Sequence, residues 1–304
     1  MFDVVIVGGG PAGLQAALTL GRARKRVLLC DAGPRRNAAA VHMHNFLTRD
    51  GTPPAELRAL AREQLASYRN VEFGTDAITS ITGTRGAFRV HTPEGVLDAR
   101  RILLCTGMID EPPALEGVRE LWGRSIVQCP YCHGWEVQGR RWGYLALPGA
   151  SAHVVPFTTM LRGWSRDVTL FTGATVELPA DGRAQLAAAG VQLEAAPIAR
   201  LLSQDGQLAA VELAGGRRIA CDVLFTHPPQ RQVDLVRGLD LALDPEGFVR
   251  VEPMRCETSV PGIYAAGDLT TRGQAAILAA AAGMLAAAAL NTELTMQLAA
   301  EGHV

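Results

Sequence analysis

Short apolar runs punctuate the chain at intervals. Val4-Val5-Ile6-Val7, Val27-Leu28-Leu29-Cys30, Arg101-Ile102-Leu103-Leu104-Cys105, Gly143-Tyr144-Leu145-Ala146-Leu147 and Val168-Thr169-Leu170-Phe171 each predict a strand. Two weaker strand-like segments fall at Ala87 to Thr92 and Val96 to Ala99, and Gly262 to Asp268 reads as a strand ending in Gly-Asp. Helical composition separates them: Leu14 to Leu20 follows a glycine turn, Ala55 to Tyr68 is amphipathic, and Ala275 to Leu290 is an alanine-rich apolar run. That last run is too short to span a bilayer comfortably and predicts a buried helix. The alternation of strands and helices predicts an α/β protein.

Prolines divide the pattern twice. Glu111-Pro112-Pro113 and His227-Pro228-Pro229 disfavour continued helix or sheet, and predict that the intervening segment is a domain inserted into the first. The expected organisation is 1–112 with 230–304 as one discontinuous domain and 113–229 as the other.

A chain of 304 residues, 48% hydrophobic, can bury two cores of that kind. Lys and Arg number 29 against 30 Asp and Glu, so no charge excess points to nucleic acid or an anionic membrane. Met1-Phe2-Asp3 runs directly into a strand, with no charged n-region and apolar h-region ahead of it, and the expectation is a cytoplasmic protein. The six cysteines do not form a secreted disulfide framework, because only Cys129 and Cys132 are close in sequence. Cys30, Cys105, Cys221 and Cys256 read as structural.

Candidate chemistry concentrates in three places. Gly8-Gly9-Gly10-Pro11-Ala12-Gly13 lies between strand and helix, where glycines let backbone approach a diphosphate and the helix N-terminus offers it unpaired N–H groups. The next strand ends in Asp31, an acid placed to hold ribose hydroxyls. Asp268 closes a later strand ahead of the alanine-rich helix, whose start can stabilise negative charge on a reduced flavin. The third place is Cys129-Pro130-Tyr131-Cys132-His133, which fits a redox-active dithiol, a c-type haem attachment site or half of a structural zinc site. The long loop from Asp31 to Pro54 adds His42 and His44, which lack a carboxylate or thiol at ligand spacing and are not expected to bind metal.

Taken in order, the Gly8–Gly13 turn, Thr106-Gly107, Cys129-x-x-Cys132 and the Gly262 to Asp268 segment followed by Gln274-Ala275 resemble the low-molecular-weight thioredoxin reductase family of FAD disulfide oxidoreductases. The resemblance covers nearly the whole chain. It implies a two-dinucleotide-binding-domain flavoprotein, with a Rossmann-like FAD domain, a smaller inserted α/β domain carrying the dithiol, and a homodimer. It places Gly8, Gly10 and Gly13 at the FAD pyrophosphate, Asp31 at the adenosine ribose and Asp268 on the ribityl side. Pro11, Ala12, Asn45, Thr106, Gly107, Gly267, Gln274 and Ala275 complete the implied cofactor-binding set. Cys132 would face the flavin and Cys129 would exchange with substrate.

Two departures redirect the expected function. Family members bind NADPH in the inserted domain through a second glycine turn, but here Ala146 and Pro148 stand where its first two glycines belong, in Leu145-Ala146-Leu147-Pro148-Gly149-Ala150-Ser151. A Cβ and a proline ring there obstruct close approach to a pyrophosphate, and no arginine cluster after Val168–Phe171 awaits a 2′-phosphate. NADPH is therefore expected to bind poorly or not at all. Second, His133 replaces the aspartate that follows the second cysteine in thioredoxin reductases. Cys-Pro-Tyr-Cys-His-Gly-Trp-Glu resembles the dithiol oxidase branch that forms the disulfides of natural products such as gliotoxin and holomycin.

A histidine titrating near neutrality suits removal of a thiol proton. The resulting expectation is an FAD-dependent dithiol oxidase in which electrons pass from a substrate dithiol through Cys129, Cys132 and FAD to oxygen. The alternatives are a thioredoxin-disulfide reductase fed by NADPH or a ferredoxin-like donor, and a non-catalytic flavin redox sensor. The substrate would be a small dithiol or a thioredoxin-like protein. His44, His153 and His227 are unranked candidates for a partner of His133, and Trp135, Trp142, Trp164, His153 and the loop from Arg35 to Asn45 for the lining of a cleft.

Overall fold

The computed structural model describes every residue except Pro34, Ala150 and Val304, and only the backbone of Ser151 and Ala152. The described chain divides into two compact units, one of Met1–Ala38, Pro53–Ile109 and Gln230–Val304, the other of Ala39–Thr52 and Asp110–Pro229. The chain thus crosses between units at 109/110, three residues ahead of the expected 112/113, and again at 229/230. Residues 39–52, expected with the first unit, group with the second. Their anchorage there is local: Ala39 packs so closely on Gly123 that a Cβ at Gly123 would lie 2.5 Å from that of Ala39.

The first unit is built on a seven-stranded sheet. Phe2–Val7 runs parallel to Val27–Cys30 on one side and to the second half of Gly95–Leu104 on the other, with Val5 opposite both Leu28 and Ile102. Val71–Gly74 extends the parallel part beyond Val27–Cys30, and Ile263–Ala265 adds to Leu104's end of the long strand. The segments Val96 to Ala99 and Arg101 to Leu104, two separate strands by sequence, are one strand of ten residues. Its first half pairs antiparallel with Ala87–Thr92, which hairpins to Ser80–Thr84.

Alternation along Phe2–Val7 sends Val4 and Ile6 into one core and Val5 and Val7 into another, so the strand is apolar on both faces. The first core is closed by the N-terminal helix Pro11–Arg22 and the C-terminal helix Ala276–Ala300. These two helices approach to backbone contact, since a Cβ at Gly283 would lie 2.0 Å from the Ala12 carbonyl oxygen.

The C-terminal helix corrects the buried reading of its alanine-rich run. At 25 residues it is long and apolar enough to cross a membrane by length and composition alone. Ala279, Gly283, Ala286, Leu290 and Leu294 form a buried stripe, while Ile277, Leu278, Met284, Leu285 and Met296 are exposed. Further along, Glu293 receives two hydrogen bonds from Arg101, at 2.7 and 2.9 Å, and Gln297 receives a third. Arg101 is wholly buried, so this pairing fixes the helix to the sheet and removes an otherwise prohibitive charge.

The second unit repeats the parallel theme with a five-stranded sheet in the order Gln192–Glu194, Asp167–Phe171, Arg141–Leu145, Val223–Thr226, Ile126–Val127. A three-stranded antiparallel sheet, Ile198–Gln204, Gln207–Leu213 and Arg218–Ala220, completes it. The fold is the expected α/β pair of dinucleotide-type domains.

Candidate active site

The thiol pair lies on a single helical turn of the second unit. Pro130–His133 forms that turn with Cys129 as its extended N-cap and Pro130 at its first position, where a missing N–H costs nothing. The Gly134 N–H closes it on the Pro130 carbonyl at 2.7 Å. Gly134 has no room for a side chain, because a Cβ would lie 2.4 Å from that carbonyl oxygen and 3.0 Å from the Trp164 ring. Trp164 in turn meets Tyr131 edge-on and stacks on Trp142. The turn carrying the thiols is therefore seated on an aromatic floor. Trp142 itself is core, with its indole N–H on the Val137 carbonyl, whereas Trp135 is exposed.

Both cysteines are present as thiols and both are partly accessible. A hydrogen bond from the Cys132 side chain, reinforced by the backbone N–H groups of Cys132 and Tyr131, pulls Cys129 down to about 7 against the opposing effect of burial. The remaining cysteines are shifted the other way. Burial pushes Cys30 up to about 11 and Cys221 up to about 12, and also raises Cys105 and Cys256.

His133 sits with its Nδ1 buried and without a hydrogen-bond partner. Burial holds its imidazole below the ordinary histidine value; the Cys129 carbonyl and the Glu136 carboxylate oppose that shift, and the charge of His44 adds to it. His44 Nε2 lies 3.5 Å from Glu136 Oε1, and its Nδ1 lies 3.5 Å from Asp50 Oδ1. A cavity of about 450 Å³ is lined by His42, His44, His133, Glu136 and Arg124 with apolar walls from Val127 and Val223. Of the three histidines proposed as partners for His133, His44 is the one that shares its surroundings. His153 is exposed on the helix Ser151–Leu161, and His227 packs on Tyr144 and Phe157. Glu136 and Asp50 escaped sequence reading, since 92 residues separate His44 from Glu136 and no spacing links them. Among the described residues no three His, Cys, Asp or Glu side chains converge to hold a metal ion.

The first unit holds the cofactor cradle. Gly8 takes φ +110°, and a Cβ there would strike the Cys105 carbonyl, while one at Gly13 would lie 1.9 Å from the Gly8 carbonyl oxygen. Those two glycines tighten the turn; Gly10 is different, with nothing within 4 Å of where its Cβ would be. Pro11 begins the N-terminal helix and Ala12 is buried beneath Gly267 and Gly283. Gly107 also faces open space with φ +64°, beside Thr106. Gln274 donates to the Asp268 carbonyl and exchanges hydrogen bonds with Gln230, and Ala275 is an extended N-cap offering no side-chain acceptor to the C-terminal helix. Asn45 belongs to the second unit, in the left-handed region at φ 60°, with its N–H on Asp50 Oδ1 at 2.7 Å.

The glycine cradle in one unit and the paired thiols in the other have a counterpart among known proteins. The family model for pyridine nucleotide-disulphide oxidoreductases matches residues 2–283. The chain belongs to this family. This oxidoreductase is 33% identical to a thioredoxin reductase, aclD, of Aspergillus oryzae over 97% of its own length and 96% of the relative's. It is 31% identical to the thioredoxin reductase sirT of Leptosphaeria maculans, covering 96% and 94%. Among solved structures, an oxidoreductase from Agrobacterium tumefaciens shares 39% identity at a TM-score of 0.90, covering 97% of this chain and 99% of that one. HlmI shares 36% at 0.91, covering 99% and 95%.

The oxidoreductase is an FAD-dependent enzyme of thiol and disulfide chemistry, and its residues fit that cofactor. The space above Gly10 admits a diphosphate to the helix N-terminus, where a side chain would have filled it.

Proposed function

We propose that the enzyme is a dithiol oxidase that works without a pyridine nucleotide, taking electrons from a substrate dithiol at Cys129 and Cys132 and delivering them to oxygen. The turn after Arg141–Leu145 carries this reading. Ala146 and Pro148 stand there in place of two glycines, so the turn carries a Cβ and a proline ring where a second dinucleotide needs close backbone approach. Ala150, the third residue of interest in that turn, lies outside the described residues.

In the oxidised pair, a substrate thiolate attacks Cys129 Sγ and the bond to Cys132 breaks. The second substrate thiol, losing its proton, then attacks the sulfur bound to Cys129, closing the product disulfide and expelling the Cys129 thiolate. A thiol held near 7 leaves readily, so the shift at Cys129 favours this step. His133, kept neutral by burial, is the acceptor for the substrate protons, with the Glu136 carboxylate favouring its protonated form and His44 opposing it. FAD held at the Gly8–Gly13 turn would supply the two-electron acceptor through which the pair is re-oxidised, with oxygen as the final acceptor in this reading.

The cavity beside His133 suits a small dithiol in size. The exposed apolar face of the C-terminal helix is the surface through which we propose the chain forms a homodimer, and we place the enzyme in the cytoplasm.

Anaerobic mixing decides the direction of electron flow. The flavin absorbance is expected to persist with NADPH, to bleach with a small dithiol, and to return with hydrogen peroxide when air is admitted. Rapid bleaching by low NADPH would instead favour a thioredoxin-disulfide reductase, and bleaching only by a reduced ferredoxin would favour that donor.

A further inference from the structure

The cavity beside His133 carries a cation that the thiol chemistry does not use. Arg124 lies on its wall, exposed, and its guanidinium makes no hydrogen bond or ion pair to any described residue. Gly206, in the turn between Ile198–Gln204 and Gln207–Leu213, is close by, since a Cβ there would stand 3.9 Å from Arg124 Nη1. The neighbouring Asp205 forms no ion pair with that guanidinium.

The backbone that carries Arg124 is fixed on both sides. Gly123 takes φ +75° against Ala39, and its N–H reaches the Ile126 carbonyl at 2.9 Å. Ser125 is buried, donates its N–H to the Leu121 carbonyl at 3.1 Å and accepts the Leu208 N–H on Oγ at 2.9 Å. A rigid support thus holds the guanidinium at the cavity while its own donors stay open.

The acid of the cavity, by contrast, is engaged. Glu136 Oε1 lies 3.5 Å from His44 Nε2, and its carboxylate also favours protonated His133. Val41, Val127, Val137 and Val223 make the remaining walls apolar. An occupant complementary to such a site has an aliphatic body and one anionic group. A neutral occupant gains nothing from Arg124, and a cationic one is repelled by it.

We propose that Arg124 is a specificity-determining residue that selects aliphatic dithiols bearing a carboxylate. Its planar fork of N–H donors matches the two carboxylate oxygens, leaving the substrate sulfurs to Cys129 and their protons to His133. The selectivity rests on this cavity being the dithiol site of the proposed function.

Reduced lipoate and reduced lipoamide test it, because they share a dithiol and an alkyl arm and differ only in carboxylate against amide. Anaerobic stopped-flow bleaching of the holoenzyme flavin by each gives a second-order rate constant in wild type, Arg124→Gln and Arg124→Lys. The lipoate-to-lipoamide ratio is expected to be about fivefold to thirtyfold in wild type, close to unity in Arg124→Gln and intermediate in Arg124→Lys. High salt should shrink the wild-type ratio, since Arg124 is exposed. A wild-type ratio within about twofold of unity would overturn the proposal. So would a wild-type ratio retained in Arg124→Gln, even if both dithiols slowed together, which would make Arg124 a structural support. If neither dithiol bleaches the flavin, the dithiol oxidase reading fails, and anion recognition is decided separately in Cys132→Ser enzyme. There the Cys129 thiolate displaces one thiolate from anionic dithiobis(nitrobenzoate) or from neutral dithiodipyridine. The anionic-to-neutral rate ratio should fall by about fivefold or more when Arg124→Gln is added, and an unchanged ratio would overturn the proposal.

Discussion

Replacing Cys132 by alanine removes the strongest influence on the neighbouring thiol. The ordinary cysteine value of 9.0 falls to about 7 at Cys129, and the hydrogen bond from the Cys132 side chain is the largest single cause. Two pKa units correspond to roughly 2.7 kcal/mol of preference for the thiolate. In Cys132→Ala the backbone N–H groups of Cys132 and Tyr131 remain, so the midpoint is expected to rise by about one to two units. At pH 7 the thiolate fraction then falls from about a half to between about a tenth and a hundredth. The measurement is the pH dependence of Cys129 alkylation by iodoacetamide in the pre-reduced protein, followed by mass spectrometry of the Cys129 peptide. Wild type should alkylate with a midpoint near 7, and Cys132→Ala should react roughly fivefold to fiftyfold more slowly at pH 7. Cys132→Ser keeps a hydroxyl donor and should fall between them. An unchanged midpoint in Cys132→Ala would refute the hydrogen bond as the cause.

His133→Ala should slow dithiol turnover by roughly 10²- to 10⁴-fold at neutral pH, the range for loss of a general base. Because Glu136 raises the His133 value and His44 lowers it, Glu136→Gln should move the acid limb of the pH–rate profile to lower pH and His44→Ala to higher pH; shifts in the same direction would refute the opposed influence of these two groups on His133. For Glu293, burial acts to raise its carboxyl, but hydrogen bonds and charge from Arg101 win and hold it below the ordinary value. The stability contributed by that pair is therefore present above the ordinary glutamate range and lost as pH falls through the folded value. Glu293→Gln should cost about 2–3 kcal/mol in urea unfolding at pH 7, less than a fully buried pair, because Glu293 keeps about a third of its surface exposed.

Much of the cofactor cradle was legible because its chemistry forces residue types. Gly8 and Gly13 are dictated by backbone contacts that exclude any side chain, and such positions announce themselves in sequence. The paired thiols are equally plain, as their spacing is itself the chemistry. What stayed hidden depends on partners far away in the chain. Asp98, Arg100 and Arg101 interrupt the apolar pattern of Gly95–Leu104 and split one strand into two. Arg101 can occupy a core position only because Glu293 and Gln297 come to meet it from the C-terminal helix. The alanine-rich run Ala275 to Leu290 within that helix reads as uniformly apolar, and nothing local marks which stripe faces the N-terminal helix. The grouping of residues 39–52 with the second unit, and with it the placement of His44 beside Glu136, is likewise a product of tertiary contacts.

The contrast among the cysteines has a chemical consequence for an enzyme of thiol and disulfide chemistry. A thiol near 7 is about half ionised at neutral pH, whereas one at about 11 exposes roughly one thiolate in ten thousand. Since only the thiolate exchanges, a reactive substrate meets a protein that is chemically silent at Cys30, Cys105 and Cys221 and responsive at Cys129. Mixed disulfides that would scramble the fold are suppressed by protonation as well as by burial, and successive turnovers return to the same sulfur.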